Sequence, residues 1–243
     1  MHDQSYVDDQ ISKAVKFVNE DKFNEAEQIV ESLVANQDLK DFIKLSHLQN
    51  IAEIYLSLGK FKLAANTYLM TDNPAGTAFS YVLLKEIDKA KQILATTPDS
   101  PAKFWCQYLC ELFSGHSVKN YPSFLEIRHF LEVTVYLLLR SNNQPYINLI
   151  IKNLKKLLDI NVDSEKLVGY AYFHFGDLNN AELLLKNSVK RSAYDGEVFF
   201  MLGKLYLQKG LVSNALSMLE NSSLLLPEHY PTQELLKKVK SMI

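Results

Sequence analysis

The sequence predicts an all-α chain: an α-solenoid of antiparallel helix pairs with an irregular helical middle and a C-terminal capping helix. Three observations lead there. Helix breakers are scarce, with 8 Gly and 7 Pro among 243 residues, well below the roughly 7% and 5% of average usage. Apolar residues recur at steps of three and four, as in Val212, Ala215, Leu216, Leu219 and Ser222, which is the mark of one buried helical stripe. Finally, the chain repeats itself: Val168-Gly169-x-x-Tyr172, Gly176 and Ala181-x-x-x-Leu185 return thirty-four residues later as Leu202-Gly203-x-x-Tyr206, Gly210 and Ala215-x-x-x-Leu219.

From the N-terminus, Gln10, Lys13, Ala14 and Phe17, followed by Ala26 and Val30, form a weak first copy of this pattern. Leu48-x-x-Ile51-Ala52-x-x-Tyr55, Gly59 and Ala64-x-x-x-Tyr68 form a second, with Ala in place of the first glycine. A third passes through Ala78, Tyr81, Ala90 and Leu94, with Asp72-Asn73-Pro74 supplying a cap and a first-turn proline. The step from Ala52 to Ala78 is shorter than that from Ala14 to Ala52, so the third pair is expected to be truncated. Between Pro98 and Val162 the pattern is lost, although 102–114, 121–140 and 145–159 keep helical periodicity. That stretch reads equally as two degenerate repeats or as a helical insert. Over 162–229 the two clear copies follow one another. At the end, Leu235, Leu236, Val239 and Met242 share a face of a helix over 231–243 with Lys237, Lys238 and Lys240 elsewhere, which suits a cap over the last repeat; a membrane-surface helix is the alternative. The expected organisation is 1–97 N-terminal hairpins, 98–161 a degenerate segment, and 162–243 a C-terminal pair plus cap.

Each signature residue has a physical reason. Glycine inside a helix costs roughly 1 kcal/mol relative to alanine, so Gly169 and Gly203 are expected where the partner helix comes too close for a Cβ. Tyr172 and Tyr206 fill the wedge beside that contact. Gly176 and Gly210 end the first helix of each pair in the left-handed conformation that turns the chain back. In order, spacing and residue type the pattern resembles the tetratricopeptide repeat, specifically over 162–229 and more loosely over 7–97. The resemblance implies a superhelix of hairpins and a non-catalytic protein–protein interaction scaffold or adaptor that holds a partner peptide or helix on its concave face.

Several function classes are disfavoured. Lys+Arg 26 against Asp+Glu 28 gives a net charge of −2, leaving no cationic surplus for a phosphate backbone, so nucleic acid is not the expected partner. The sequence holds no phosphate loop, nucleophile elbow or H-E-x-x-H motif. Cys106 and Cys110, four apart on a helix face with His116 nearby, are expected to be buried apolar groups rather than metal ligands, with Trp105 a core residue beside them. No enzyme activity, cofactor or metal is expected. The apolar stretch over 131–139 is too short and too interrupted to span a bilayer, and the segment from Met1 to Asp9 has neither a basic nor an apolar leader region. A cytoplasmic setting is the expectation.

In the resemblance, first helices line the inner wall. Helical spacing from the close-contact glycine places Asp163, Lys166, Tyr170, Phe173 and His174 on that wall in one repeat. In the next it places Glu197, Phe200, Lys204, Leu207 and Gln208. Aromatic rings interspersed with lysines suit a peptide with apolar anchors and a carboxylate. The same offsets in the N-terminal half give Ile11, Val15 and Val18, then Gln49, Glu53 and Leu56; Ile11 and Val15 depart from the Lys/Asn clamp by which one chaperone-binding branch grips a terminal carboxylate. The competing readings are a wall filled by the protein's own chain or by a second copy (a self-associating homo-oligomer), a helical-repeat RNA binder, and an enzyme on a repeat scaffold.

Overall fold

The computed structural model describes residues 4–115 and 117–242. The first three residues of the segment read for a leader, and His116 beside the cysteines, lie outside the described residues, as does Ile243. Among the described residues all regular structure is helical, and the chain divides into two compact units, 1–121 and 122–243.

The first unit holds three hairpins and a single helix. The hairpins pair α1 (Gln4–Asn19) with α2 (Phe23–Ala35), α3 (Leu45–Ser57) with α4 (Phe61–Leu69), and α5 (Pro74–Leu83) with α6 (Ile87–Thr96). A 3-10 turn over Gln37–Phe42 links the first two pairs. The helix α7 (Pro101–Phe113) packs on α5 and α6 and has no hairpin partner within the unit. Val7, Ile11 and Ala14 of α1 bury their apolar stripe against Ala26, Val30 and Leu33 of α2 and Ile51, Ala52 and Tyr55 of α3. One polar contact also fastens α1 to α3. The Nδ1 atom of the buried His47 accepts the Lys44 backbone N–H at 3.1 Å, which leaves the ring proton on Nε2 to face Asp8 at 2.6 Å. The hydrogen bond from His47, then that from Gln4, holds the Asp8 carboxyl below its usual range. The starts of α5 and α7 follow their sequence cues, with Asn73 and Ser100 accepting the N–H groups of Gly76 and Lys103 ahead of first-turn prolines. Trp105, Cys106 and Cys110 are buried in α7. Burial pushes the Cys106 thiol well up and raises that of Cys110 to about 11, so both are held as neutral core groups.

The second unit has the same plan. Its hairpins pair α8 (Phe124–Arg140) with α9 (Gln144–Ile160), α10 (Ser164–Phe175) with α11 (Leu178–Arg191), and α12 (Gly196–Gln208) with α13 (Val212–Leu225); α14 (Tyr230–Lys240) packs on α13 as a single last helix. The irregular middle is thus shared out, α7 going to the first unit and α8/α9 to the second. In α14 the buried residues are Thr232, Leu236 and Val239; Leu235 packs beside them, whereas Met242, expected on the same face, lies past the helix end and is exposed.

All six hairpins turn by one device. A residue one or two positions past the end of the first helix takes a positive φ: Asp21, Gly59, Lys85, Asn142, Gly176 and Gly210. The next residue then donates its N–H to a carbonyl five positions back, namely Lys22 to Phe17, Lys60 to Tyr55, Glu86 to Tyr81, Asn143 to Leu138, Asp177 to Tyr172 and Leu211 to Tyr206, all at 2.8–3.0 Å. This is the hydrogen bond that satisfies an orphan helix carbonyl in a Schellman turn. Seven residues before each turn residue sits a small or medium buried group: Ala14, Ala52, Ala78, Val135, Gly169 or Gly203. A Cβ on Gly203 would stand 2.7 Å from Leu219 Cγ, and one on Gly169 3.0 Å from Leu185 Cγ. Leu185 and Leu219 are themselves one repeat apart, so the two glycines occupy equivalent contacts. None of the described helices is long and apolar enough to cross a membrane.

Candidate functional site

The residues expected on the wall recur at matching positions of the first helices of the second unit, α8, α10 and α12. Seven residues further along α12 than Glu197 comes Lys204; the corresponding residues are Asp163, just before α10, and Tyr170 within it, and on α8 they are His129 and Tyr136. Along the face expected to be the wall, the surroundings of these residues differ between the N-terminal and C-terminal ends of the helices.

At the N-terminal end Lys166 is surrounded. Its Nζ lies 2.8 Å from Asp195, 3.5 Å from Glu197 and 3.5 Å from Asp163, and its side chain is only 11% exposed. Burial works against the ammonium, but the Asp195 hydrogen bond and the neighbouring carboxylates outweigh it and raise its pKa. Asp195 is doubly used, since its other oxygen caps α12 by accepting the N–H groups of Glu197 and Val198. Glu197, by contrast, is 66% exposed. Tyr170 stands beside this group, half-buried, and its hydroxyl has no hydrogen-bond partner among the described residues. Burial pushes its pKa up, and the carboxylates of Asp195, Glu197, Glu132 and Asp163 push it further. Glu132, on α8, is itself raised by burial and lies 3.7 Å from His174 Nδ1.

Towards the C-terminal end the wall is aromatic. Lys204 Nζ lies 5.3 Å from the centroid of Phe173 and 5.7 Å from that of Phe200, within reach of cation–π attraction. Among the described residues it has no carboxylate partner. Phe200 is met edge-on by His229 at 5.0 Å, and Phe173 by His174 at 5.7 Å.

The ten residues assigned to the wall are therefore used in different ways. Phe173 and Lys166 are buried, at 6% and 9% exposure. Phe200 and Leu207 are half-buried against the cluster of Leu219, Leu236 and Val239, so the last helices of the chain already cover part of their surface. Asp163, Tyr170 and Lys204 keep intermediate exposure, and His174, Glu197 and Gln208 are exposed. Sequence reasoning missed Asp195, Glu132 and His229. Asp195 is an ordinary helix-cap residue in the sequence, and its ion pair depends on tertiary approach. Glu132 lies in the hairpin whose repeat signature is lost, and His229 lies in the linker before α14. In the first unit Ile11 is buried, while Val15, Val18 and Glu53 line a small cleft between α1 and α3.

The Gly169–Leu185 and Gly203–Leu219 contacts, one thirty-four-residue step apart, decide the type of repeat. The hairpins are tetratricopeptide-like. No protein-family model and no curated protein matches the chain. Solved structures do resemble it. A tetratricopeptide repeat protein from Parabacteroides merdae is 15% identical, with 96% of this chain and 98% of that one covered at a TM-score of 0.40. The APC/C hetero-tetramer Cut9-Hcn1 gives 16% identity, 95% and 42% coverage and a TM-score of 0.37. The P58(IPK) TPR domain gives 16%, 97% and 64% coverage and 0.36.

Proposed function

We propose that this tetratricopeptide-like chain is a non-catalytic interaction scaffold that holds a segment of a partner protein on the wall formed by α8, α10 and α12. The observation that carries the reading is Lys204, an ammonium set over two aromatic rings with no carboxylate of its own among the described residues. A cation in that setting is attached to an apolar surface and still has its charge to offer. Tyr170, His174, Glu197 and Gln208 complete the accessible part of the wall, and the half-buried Phe200 borders it. The helices hold these groups fixed, so little ordering entropy opposes binding. The charged groups of the wall satisfy one another or face solvent around a broad, shallow surface, which suits recognition better than bond-making chemistry.

The test is capture of a partner from native lysate, with the bound segment mapped by crosslinking. Lys204→Glu combined with His174→Ala should lose the partner and the crosslinks to the wall while leaving helicity unchanged and the thermal midpoint within about 4 °C of the parent, since His174 is exposed and Lys204 is not buried. Undiminished crosslinking to Tyr170 or Phe200 in that variant refutes the assignment.

A further inference from the structure

The two wall lysines read alike in the sequence, yet the structure separates them. Lys166 is consumed by Asp163, Asp195 and Glu197, three carboxylates around one nearly buried ammonium. Its neighbourhood therefore presents a surplus of negative charge, and Glu197 carries that surplus outward at 66% exposure. Lys204 presents the opposite charge from between Phe173 and Phe200. Glu197 and Lys204 lie seven residues apart on α12, two turns or about 10 Å along the axis. Tyr170, close to the carboxylates of Asp195 and Glu197, and Phe200, under Lys204, are the half-buried rings of this face.

We propose that the wall takes a short proline-rich segment of the partner by charge at both ends, a basic side chain at Glu197 and Tyr170 and a side-chain carboxylate at Lys204. The inference rests on the reading that this wall is the partner site. Its spacing follows from geometry. A chain in the polyproline II conformation rises about 3.1 Å per residue and returns to the same face every third residue, so a base and an acid three positions apart meet groups about 10 Å apart. The intervening residues lie against aromatic rings, which suits prolines. Lysine in place of the acid would meet Lys204, and glutamate in place of the base would meet Glu197 and its neighbours, so each end also rejects the wrong charge.

The probe is the blocked peptide acetyl-Ser-Lys-Pro-Pro-Glu-Ser-amide, titrated into the full chain labelled with nitrogen-15, with dissociation constants taken from amide shifts. Replacing the peptide's glutamate by glutamine should weaken binding about fivefold or more in the parent and less than about twofold in Lys204→Ala. Replacing its lysine by alanine should show the same coupling to Glu197→Gln. If the peptide shifts wall amides but the losses simply add, the charge assignment fails while the wall survives as a binding surface. Binding that requires a free C-terminal carboxylate, or a helical peptide with base and acid seven apart, also overturns the assignment. If neither this peptide nor those two alternatives perturbs the wall, the scaffold reading itself falls with it.

Discussion

The α8/α9 hairpin and the α12/α13 hairpin of the same unit do one job with different residues. In α12/α13 the four signature positions are Gly203, Tyr206, Gly210 and Ala215; in α8/α9 they are Val135, Leu138, Asn142 and Ile147. The turn is nevertheless the same, with a positive φ at Asn142 as at Gly210 and the same carbonyl five residues back accepting the N–H. Val135 and Ile147 are as buried as their counterparts, but α8 packs more extensively on α10 than on its own partner α9. Small residues are thus needed where the two helices of a hairpin press together, and larger ones fill the slot where the first helix leans on its neighbour.

This comparison can be broken most sharply at the shared slot. Val135→Gly should cost about 2–4 kcal/mol, because three buried carbons are lost from the packed slot and a glycine is placed inside a helix. Gly203→Val should cost about 1–3 kcal/mol for the opposite reason, its new carbons meeting Leu219. Chemical denaturation of both variants checks this pair, and a stabilised Val135→Gly would show that the two slots are not opposites.

The turns offer a smaller effect of either sign. Gly176→Ala forces a side chain into φ 93° and should cost about 1–2 kcal/mol. Lys85→Gly relieves the same strain at φ 66° and should raise stability by up to about 1 kcal/mol. Equal thermal midpoints for Lys85→Gly and the parent would contradict the shared-turn account of the weak third repeat.

The smallest effect concerns acid. Lys186, then Lys209, hydrogen-bond to Glu182, which joins α11 to α12 through Tyr206 and Lys209, and its pKa falls to about 2. A depressed carboxylate stabilises the fold above its unfolded pKa near 4.5 and loses that contribution as the pH falls towards 2. The midpoint gap between the parent and Glu182→Gln should therefore be widest above pH 5 and close by pH 2, as followed by thermal melts. A gap independent of pH would remove the ion pair from the account.

Legibility followed the same physics. The repeats at Gly169 and Gly203 were readable because a helical glycine is costly and stands out. Asp21, Lys85 and Asn142 hid three turns, since nothing in an isolated Lys85 announces a left-handed backbone. The hairpin α8/α9 was readable as helices but not as a repeat, because every one of its signature positions had been exchanged. At the proposed wall, spacing grouped Lys166 with Lys204 and could not tell a consumed lysine from an available one. That distinction depends on Asp195, which approaches Lys166 only once α10 and α12 are stacked.

The lone helix α14 has one more consequence. Its apolar side lies on the last hairpin, and Lys237, Lys238 and Lys240 are left facing water. An apolar surface laid on that outer side would have to strip water from Lys237 and Lys238, while Lys240 stands 3.6 Å from Glu220, so the helix screens the greasy cluster of Leu219, Leu236 and Val239 beneath it.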